Sequence, residues 1–217
     1  MKFVGIVGST FEQSYNRKLL EYAKFIFMDE ADIEIFDISD IPIFSMDLSE
    51  IDYPKIIDIA QKIDQSDGVI IATPEINYTI PPMLKSLIEW LSFNLHPFKD
   101  KPVMIMGASN ESQGTVRAQS HLKQILSAPG VESFILPGND FLLNNARDKF
   151  DQDGRLIDEQ TEDYLEHRLL RFVKFAKLLQ GLNIDDIESK YTLTMRAGGY
   201  INLDDPNSDG TSGASEY

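Results

Sequence analysis

Gly68-Val-Ile-Ile-Ala-Thr73 runs directly into Pro74-Glu-Ile-Asn-Tyr-Thr-Ile-Pro-Pro82, and this stretch decides the fold. Its first half is β-branched and has no polar alternation, as expected of a strand buried on both faces. The prolines at its far end suit the first turn of a helix. Met83, Leu84, Leu87, Ile88 and Leu91 then recur at helical spacing, with Trp90 on the same buried side. A buried strand, a loop and an amphipathic helix in that order are the repeating half of a parallel α/β sheet.

The same alternation extends outward in both directions. Toward the N-terminus, Phe3 to Val7 is an apolar run ending at Gly8, and Ser14 can cap a helix carrying Leu19, Leu20, Ala23 and Phe27. A strand over Ile33 to Ile38 and a helix over Pro54 to Ile63 follow. Toward the C-terminus the pattern predicts a strand over Val103 to Met106, a helix over Gln113 to Leu126 and a fifth strand over Val131 to Leu136. A long final helix covers Glu159 to Leu179. Five strands interleaved with helices predict an α/β domain with a five-stranded parallel sheet and helices on both faces.

The character changes after residue 182. Asp185, Asp186 and Glu188 form a polar break, Tyr191 to Met195 is weakly strand-like, and Asp204 to Tyr217 is rich in Gly, Ser and Asp. The expected organisation is a domain over 1–182 with a C-terminal arm over 183–217.

Composition narrows the chemistry. The 217 residues carry 20 basic and 35 acidic side chains, a formal charge of −15, which argues against nucleic acid and anionic membrane surfaces as partners. The absence of cysteine excludes disulfides, thiol nucleophiles and thiolate-ligated metals, so any redox chemistry must ride on a bound cofactor. No apolar run reaches membrane-span length, and the start, MKFVGIVGST, moves at once into a strand pattern; a cytoplasmic protein is the expectation. His96, His121 and His167 are isolated from one another, no HExxH or GxSxG is present, and no metal site is expected.

Ligands of open parallel sheets bind beyond the carboxyl ends of the strands, where helix N-termini point. Three loops there are unusual. In Gly8-Ser-Thr-Phe-Glu-Gln-Ser-Tyr-Asn-Arg17, the hydroxyls of Ser9, Thr10 and Ser14, the Asn16 amide and backbone N–H groups can surround a phosphate, or simply form a polar capped turn. It is neither a P-loop nor GxGxxG. In Thr73 to Pro82, proline fixes the backbone while Glu75 to Thr79 present N–H groups suited to the edge of a flat heteroaromatic ring; a rigid proline-capped turn is the plainer alternative. In Ala108-Ser-Asn-Glu-Ser-Gln-Gly-Thr-Val-Arg117, Gly114 permits close approach, and Arg117 can favour an electron-rich ring or make a surface ion pair.

Together, GSTFEQSYNR, PEINYTIPPMLKSLIEWLS and GASNESQGTVRAQSHLKQIL resemble the NADPH-dependent FMN reductase family, which includes flavin, azo, quinone and chromate reductases. The resemblance spans about residues 1–182. It implies a flavodoxin-like three-layer sandwich, non-covalently bound FMN, NADPH or NADH as electron donor and frequent homodimers. It places Ser9, Thr10, Ser14, Tyr15, Asn16 and Arg17 on the phosphate side. Pro74, Glu75, Ile76, Asn77, Tyr78 and Thr79 would line the isoalloxazine, with Ser109, Gly114 and Arg117 closing the other side. The departure is at Phe11, where many members carry arginine; Glu12 adds a negative charge, which Arg17 is expected to offset.

The tail carries a second signal. Asp209-Gly-Thr-Ser-Gly-Ala-Ser215 fits D-x-x-[ST]-G-A-[ST], which resembles the acceptor motif of ApbE-type flavin transferases. The resemblance implies FMN attached to Ser215 through a phosphoester, with Asp209, Ser212, Gly213 and Ala214 as recognition residues. The plainer alternative is a polar chain end. About 33 residues separate Leu182 from Ser215, enough for a flexible chain to span about 30 Å. The expected function is therefore an NAD(P)H-dependent FMN oxidoreductase, with the tail as a route to a partner reductase. Rival readings are a stand-alone quinone, azo or flavin reductase and a flavodoxin-like electron carrier that does not react with nicotinamide.

Overall fold

The computed structural model describes residues 1–180. Its parallel strands are β1 (Lys2–Val7), β2 (Asp32–Asp37), β3 (Gly68–Ala72), β4 (Pro102–Ala108), β5 (Phe134–Ile135) and β6 (Phe141–Leu143). The helices are α1 (Tyr15–Ile26), α2 (Pro54–Gln65), α3 (Pro82–Trp90), α4 (Val116–Leu126) and α5 (Glu159–Leu179). The sheet runs β2-β1-β3-β4-β5, with β6 also paired to β4.

Period-two side-chain direction explains why the central strands look apolar throughout. Ile70, Met104 and Met106 point into one core with Leu19, Leu20 and Ala23 of α1 and Leu165, Leu169 and Phe172 of α5. Val69, Ile71, Val103 and Ile105 point into a second core under α2, α3 and α4. Every residue of β3 and β4 is buried because both faces are covered. Trp90 sits in the second core and spends its indole N–H on the Pro42 carbonyl at 2.9 Å.

Two boundaries differ from expectation. The fifth sheet position is held by two short segments along the far edge of β4: Phe134 and Ile135 pair with Pro102 and Val103, and Phe141 to Leu143 pair with Met106 to Ala108. Pro137, which has no N–H to give a ladder, and Gly138 at φ 64° break the strand between them. Helix α4 starts at Val116 rather than Gln113, because Gly114 is left-handed at φ 63° and Thr115 is not yet helical.

Among the described residues no helix is long and apolar enough to cross a membrane, and no His/Asp/Glu cluster could hold a metal ion. The candidate flavinylation residues Asp209, Ser212, Gly213, Ala214 and Ser215, and the strand-like Tyr191 to Met195, lie outside the described residues.

Candidate functional site

The loops after β1, β3 and β4 leave the same edge of the sheet, on either side of the point where strand order reverses between β1 and β3. Glycines let them converge. A Cβ on Gly8 would meet the Ala72 carbonyl oxygen at 3.0 Å, and one on Gly107 would lie 2.0 Å from Thr115 Oγ1 and 2.5 Å from the Thr73 carbonyl oxygen. A cleft of about 450 Å³ opens between the loops after β3 and β4, lined by Glu75, Asn77, Tyr78, Ser109, Glu111 and Gly114.

In the loop after β1, Ser14 caps α1 by accepting from the Asn16 N–H at 3.2 Å, and Ser9 Oγ accepts from the Phe11 N–H at 3.2 Å. Both hydroxyls keep their own proton to donate. The backbone N–H groups of Ser9, Thr10, Glu12 and Gln13 have no partner among the described residues. These groups lie at the positive end of α1, where a helix N-terminus favours negative charge. Two of the expected site side chains are bonded elsewhere. The Asn16 side chain is not free for a phosphate: its amide is bonded at both ends to the Ala108 backbone and only 2% exposed. Arg17 does not offset Glu12, because its guanidinium pairs with Asp37 at the end of β2. Partial burial pushes the Asp37 carboxyl up, but hydrogen bonds from Ser39 and Arg17 outweigh that and hold it below the usual range.

The loop after β3 is a two-residue hairpin. Ile76 N–H donates to the Thr79 carbonyl at 2.9 Å and Thr79 N–H returns a bond to Ile76 at 3.0 Å. Asn77 and Tyr78 at its tip are both left-handed, at φ 49° and 66°, as a type I′ turn requires. Nothing in the sequence motif announces this strain, since Tyr is a poor residue for that region. With Ile76 and Thr79 committed to each other, the Glu75, Asn77, Tyr78 and Ile80 N–H groups have no partner among the described residues. Thr73 is fully buried and tied to Met106, holding the start of the loop.

Glu75 and Arg117 turn out to be coupled. Glu75 Oε2 accepts from the N–H groups of Arg117 at 2.8 Å and Ala118 at 3.1 Å, so it caps α4 from across the chain. Its other oxygen lies 3.4 Å from Arg117 Nη1, and that guanidinium stacks 4.3 Å from the Tyr78 ring centroid. Thr79 Oγ1 also bonds His121 on α4. The hairpin and α4 therefore form one wall, and Arg117 is not a free charge facing the cleft.

Ser109 donates its N–H to Leu143 at 2.9 Å and receives the Ala146 N–H at 3.0 Å. These bonds bring the turn after β6, including Arg147, beside the site; sequence reasoning missed it because the interruption of the fifth strand hid where that turn begins.

This topology, with a cleft between the loops after the third and fourth strands, is that of a flavodoxin-like α/β domain. Residues 1–148 match the model of the NADPH-dependent FMN reductase family, and the chain belongs to that family of oxidoreductases. It is 38% identical over 182 residues to an NADH:(hydroxy)cinnamate reductase subunit, CrdA, of Vibrio ruber, covering 84% of this chain and 90% of that one. It is 38% identical to NADH-dependent flavin reductase subunit 2 of Lactobacillus johnsonii, covering 83% of this chain and all of the other. In structure it is similar to FerB, a flavoenzyme NAD(P)H:(acceptor) oxidoreductase from Paracoccus denitrificans, with a TM-score of 0.73, 26% identity, and coverage of 81% of this chain and 97% of that one.

Proposed function

We propose that the cleft holds FMN non-covalently, that NADH or NADPH reduces it, and that the electrons pass to an acceptor. The observation that carries this reading is the set of N–H groups without a partner among the described residues and serine hydroxyls at the start of α1, together with a cleft at whose rim the Glu75, Asn77 and Tyr78 N–H groups likewise have no partner there. An anionic end and a flat ring with polar edge atoms need that donor set. When bound, FMN supplies the redox chemistry, taking a hydride from reduced nicotinamide and releasing two electrons to the acceptor.

The chain's own part is binding and orientation. Ser9, Thr10 and Ser14 would hold the phosphate with backbone groups through Tyr15. Pro74 to Tyr78 would fix the ring edge, with Thr79 and Ile76 locking the turn. Ser109 and Gly114 would border the opposite rim. Asn16, Glu75 and Arg117 act behind the ligand, holding the three loops in register. No protein acid or base is needed for hydride transfer, so proximity and orientation are what the fold must provide.

The extension over 183–217 is part of the proposal. A second FMN, attached to Ser215 by a flavin transferase, would carry electrons from the cleft to a partner reductase. The D-x-x-[ST]-G-A-[ST] match over Asp209 to Ser215 supports this, as does the likeness to a relative named as a reductase subunit. A homodimer of the 1–182 domain fits the family.

Two measurements test these readings. Anaerobic NADH or NADPH should bleach the bound flavin in a rapid-reaction instrument; a flavin that stays oxidised with both would leave an electron carrier instead. Acid precipitation of protein co-expressed with a flavin transferase should leave flavin in the pellet as well as the supernatant. Ser215→Ala should lose the pellet flavin and partner reduction while keeping NAD(P)H oxidation. Flavin in the supernatant alone would remove the covalent reading.

A further inference from the structure

We propose that Arg147 receives the phosphate of the bound flavin mononucleotide, supplying from the turn after β6 the cation that the loop after β1 lacks. This rests on the reading that the cleft holds FMN. A phosphate monoester carries close to two negative charges at neutral pH, and backbone donors alone leave most of that charge unbalanced. The loop after β1 cannot balance it. Arg17 is committed to Asp37, Glu12 has the wrong sign, and Lys18 reaches back over the Tyr15 ring at 5.8 Å.

The turn over residues 144–150 is fastened against the site from two directions. The Ala146 N–H donates to the Ser109 carbonyl at 3.0 Å, and the Arg147 N–H donates to Asn110 Oδ1 at 2.9 Å. Three residues later Phe150 stacks on Tyr15, the first residue of α1, with ring centroids 6.0 Å apart and planes 13° apart. Arg147 is thus held between the rim of the cleft and the N-terminus of α1, and the left-handed Asn145 at φ 48° turns the chain there.

Other cations here have contacts of their own. Lys149 pairs with Asp158, Arg117 with Glu75, and Arg155 lies 5.4 Å from the Phe25 ring centroid. Arg147 is exposed and makes no ion pair among the described residues, not even with its neighbour Asp148. A planar guanidinium carried on an anchored backbone, its donors without a partner among the described residues, suits a phosphate better than an ammonium does.

The test is equilibrium binding of FMN and of riboflavin, which lacks the phosphate, to the flavin-stripped full chain. Wild type, Arg147→Gln and Lys18→Gln are compared. Arg147→Gln should weaken FMN about tenfold while leaving riboflavin unchanged, and should flatten the salt dependence of FMN binding. Lys18→Gln should change neither ligand. An unchanged FMN-to-riboflavin ratio in Arg147→Gln overturns the inference, as does equal weakening of both ligands, or loss of the phosphate preference in Lys18→Gln instead. A wild-type chain that binds neither flavin would overturn the FMN reading itself, and this inference with it.

Discussion

The side chain of Asn16 closes a two-bond ring with the backbone of Ala108, 92 residues away: its Nδ2 donates to the Ala108 carbonyl at 3.0 Å, and its Oδ1 accepts the Ala108 N–H at 2.8 Å. The amide mimics a neighbouring strand and joins the first turn of α1 to the end of β4, fixing the spacing of two of the three loops. Asn16→Ala would leave both Ala108 groups buried and unpaired, at a cost of about 2–3 kcal/mol. Urea unfolding of the flavin-free protein should show that loss, and FMN affinity should fall with it. A variant as stable as wild type would mean that the clip is replaceable by water.

Glu75 and Arg117 give an asymmetric pair of expectations. Glu75→Ala uncaps α4 by removing the acceptor for two N–H groups, and should destabilise by about 1–2 kcal/mol. Arg117→Ala removes a long contact from a side chain 45% exposed, against 11% for Glu75, and should cost under about 1 kcal/mol. Thermal unfolding of the two variants measures the order directly. The reverse order would show that the guanidinium, rather than the cap, holds the hairpin to the helix.

Gly107 is needed for space. A Cβ there would collide with Thr115 Oγ1 and the Thr73 carbonyl, neither of which can retreat, since Thr115 Oγ1 accepts from the buried Gln119 amide and Thr73 is fully buried. Gly107→Ala should destabilise by about 1–3 kcal/mol and lower flavin content on purification. Adding Thr115→Ser should give little relief, because Oγ1 stays. A fully loaded, wild-type-stable Gly107→Ala protein would refute the account.

The elements legible in the sequence were those with one dominant local signal. β1 and β3 read as continuous apolar runs, and α5 as a long amphipathic pattern; all three fell where expected. The loop positions were legible too, because strand ends in a parallel sheet are where ligands bind. Individual roles were less legible. Asn16, Arg17, Glu75 and Arg117 are polar residues in polar loops, and only their partners, respectively Ala108, Asp37, the α4 N-terminus and Tyr78, show that each is committed elsewhere. Those partners are remote in sequence, so no local pattern encodes them. The split fifth strand was missed for a different reason: Val131 to Leu136 has the better β composition, but Glu132 at φ 50° and the Pro137-Gly138 break leave only Phe134 and Ile135 in the ladder before it resumes at Phe141.

Tyr22 makes stability depend on alkaline pH. It is 7% exposed on α1 and donates its hydroxyl to Glu162 of α5 at 2.6 Å. Burial comes first, then the hydrogen bond and the negative charge of Glu162, in pushing the phenol well above its ordinary value. The folded state therefore keeps this proton when the unfolded chain, titrating near pH 10, has begun to lose it. The unfolded state then binds fewer protons, so the stability supplied by Tyr22 is intact below about pH 10 and is lost as pH rises above it. Tyr22→Phe should be less stable at neutral pH by about 1 kcal/mol, through the missing hydrogen bond. It should also lose stability less steeply above about pH 10, so that the two curves converge. Urea unfolding from neutral pH to about pH 11 compares them, and the contribution of the remaining tyrosines, common to both proteins, cancels in the difference. Parallel curves across that range would mean that Tyr22 ionises in the folded protein as readily as in the unfolded one, and that the α1–α5 contact is not the alkaline-sensitive joint of this domain.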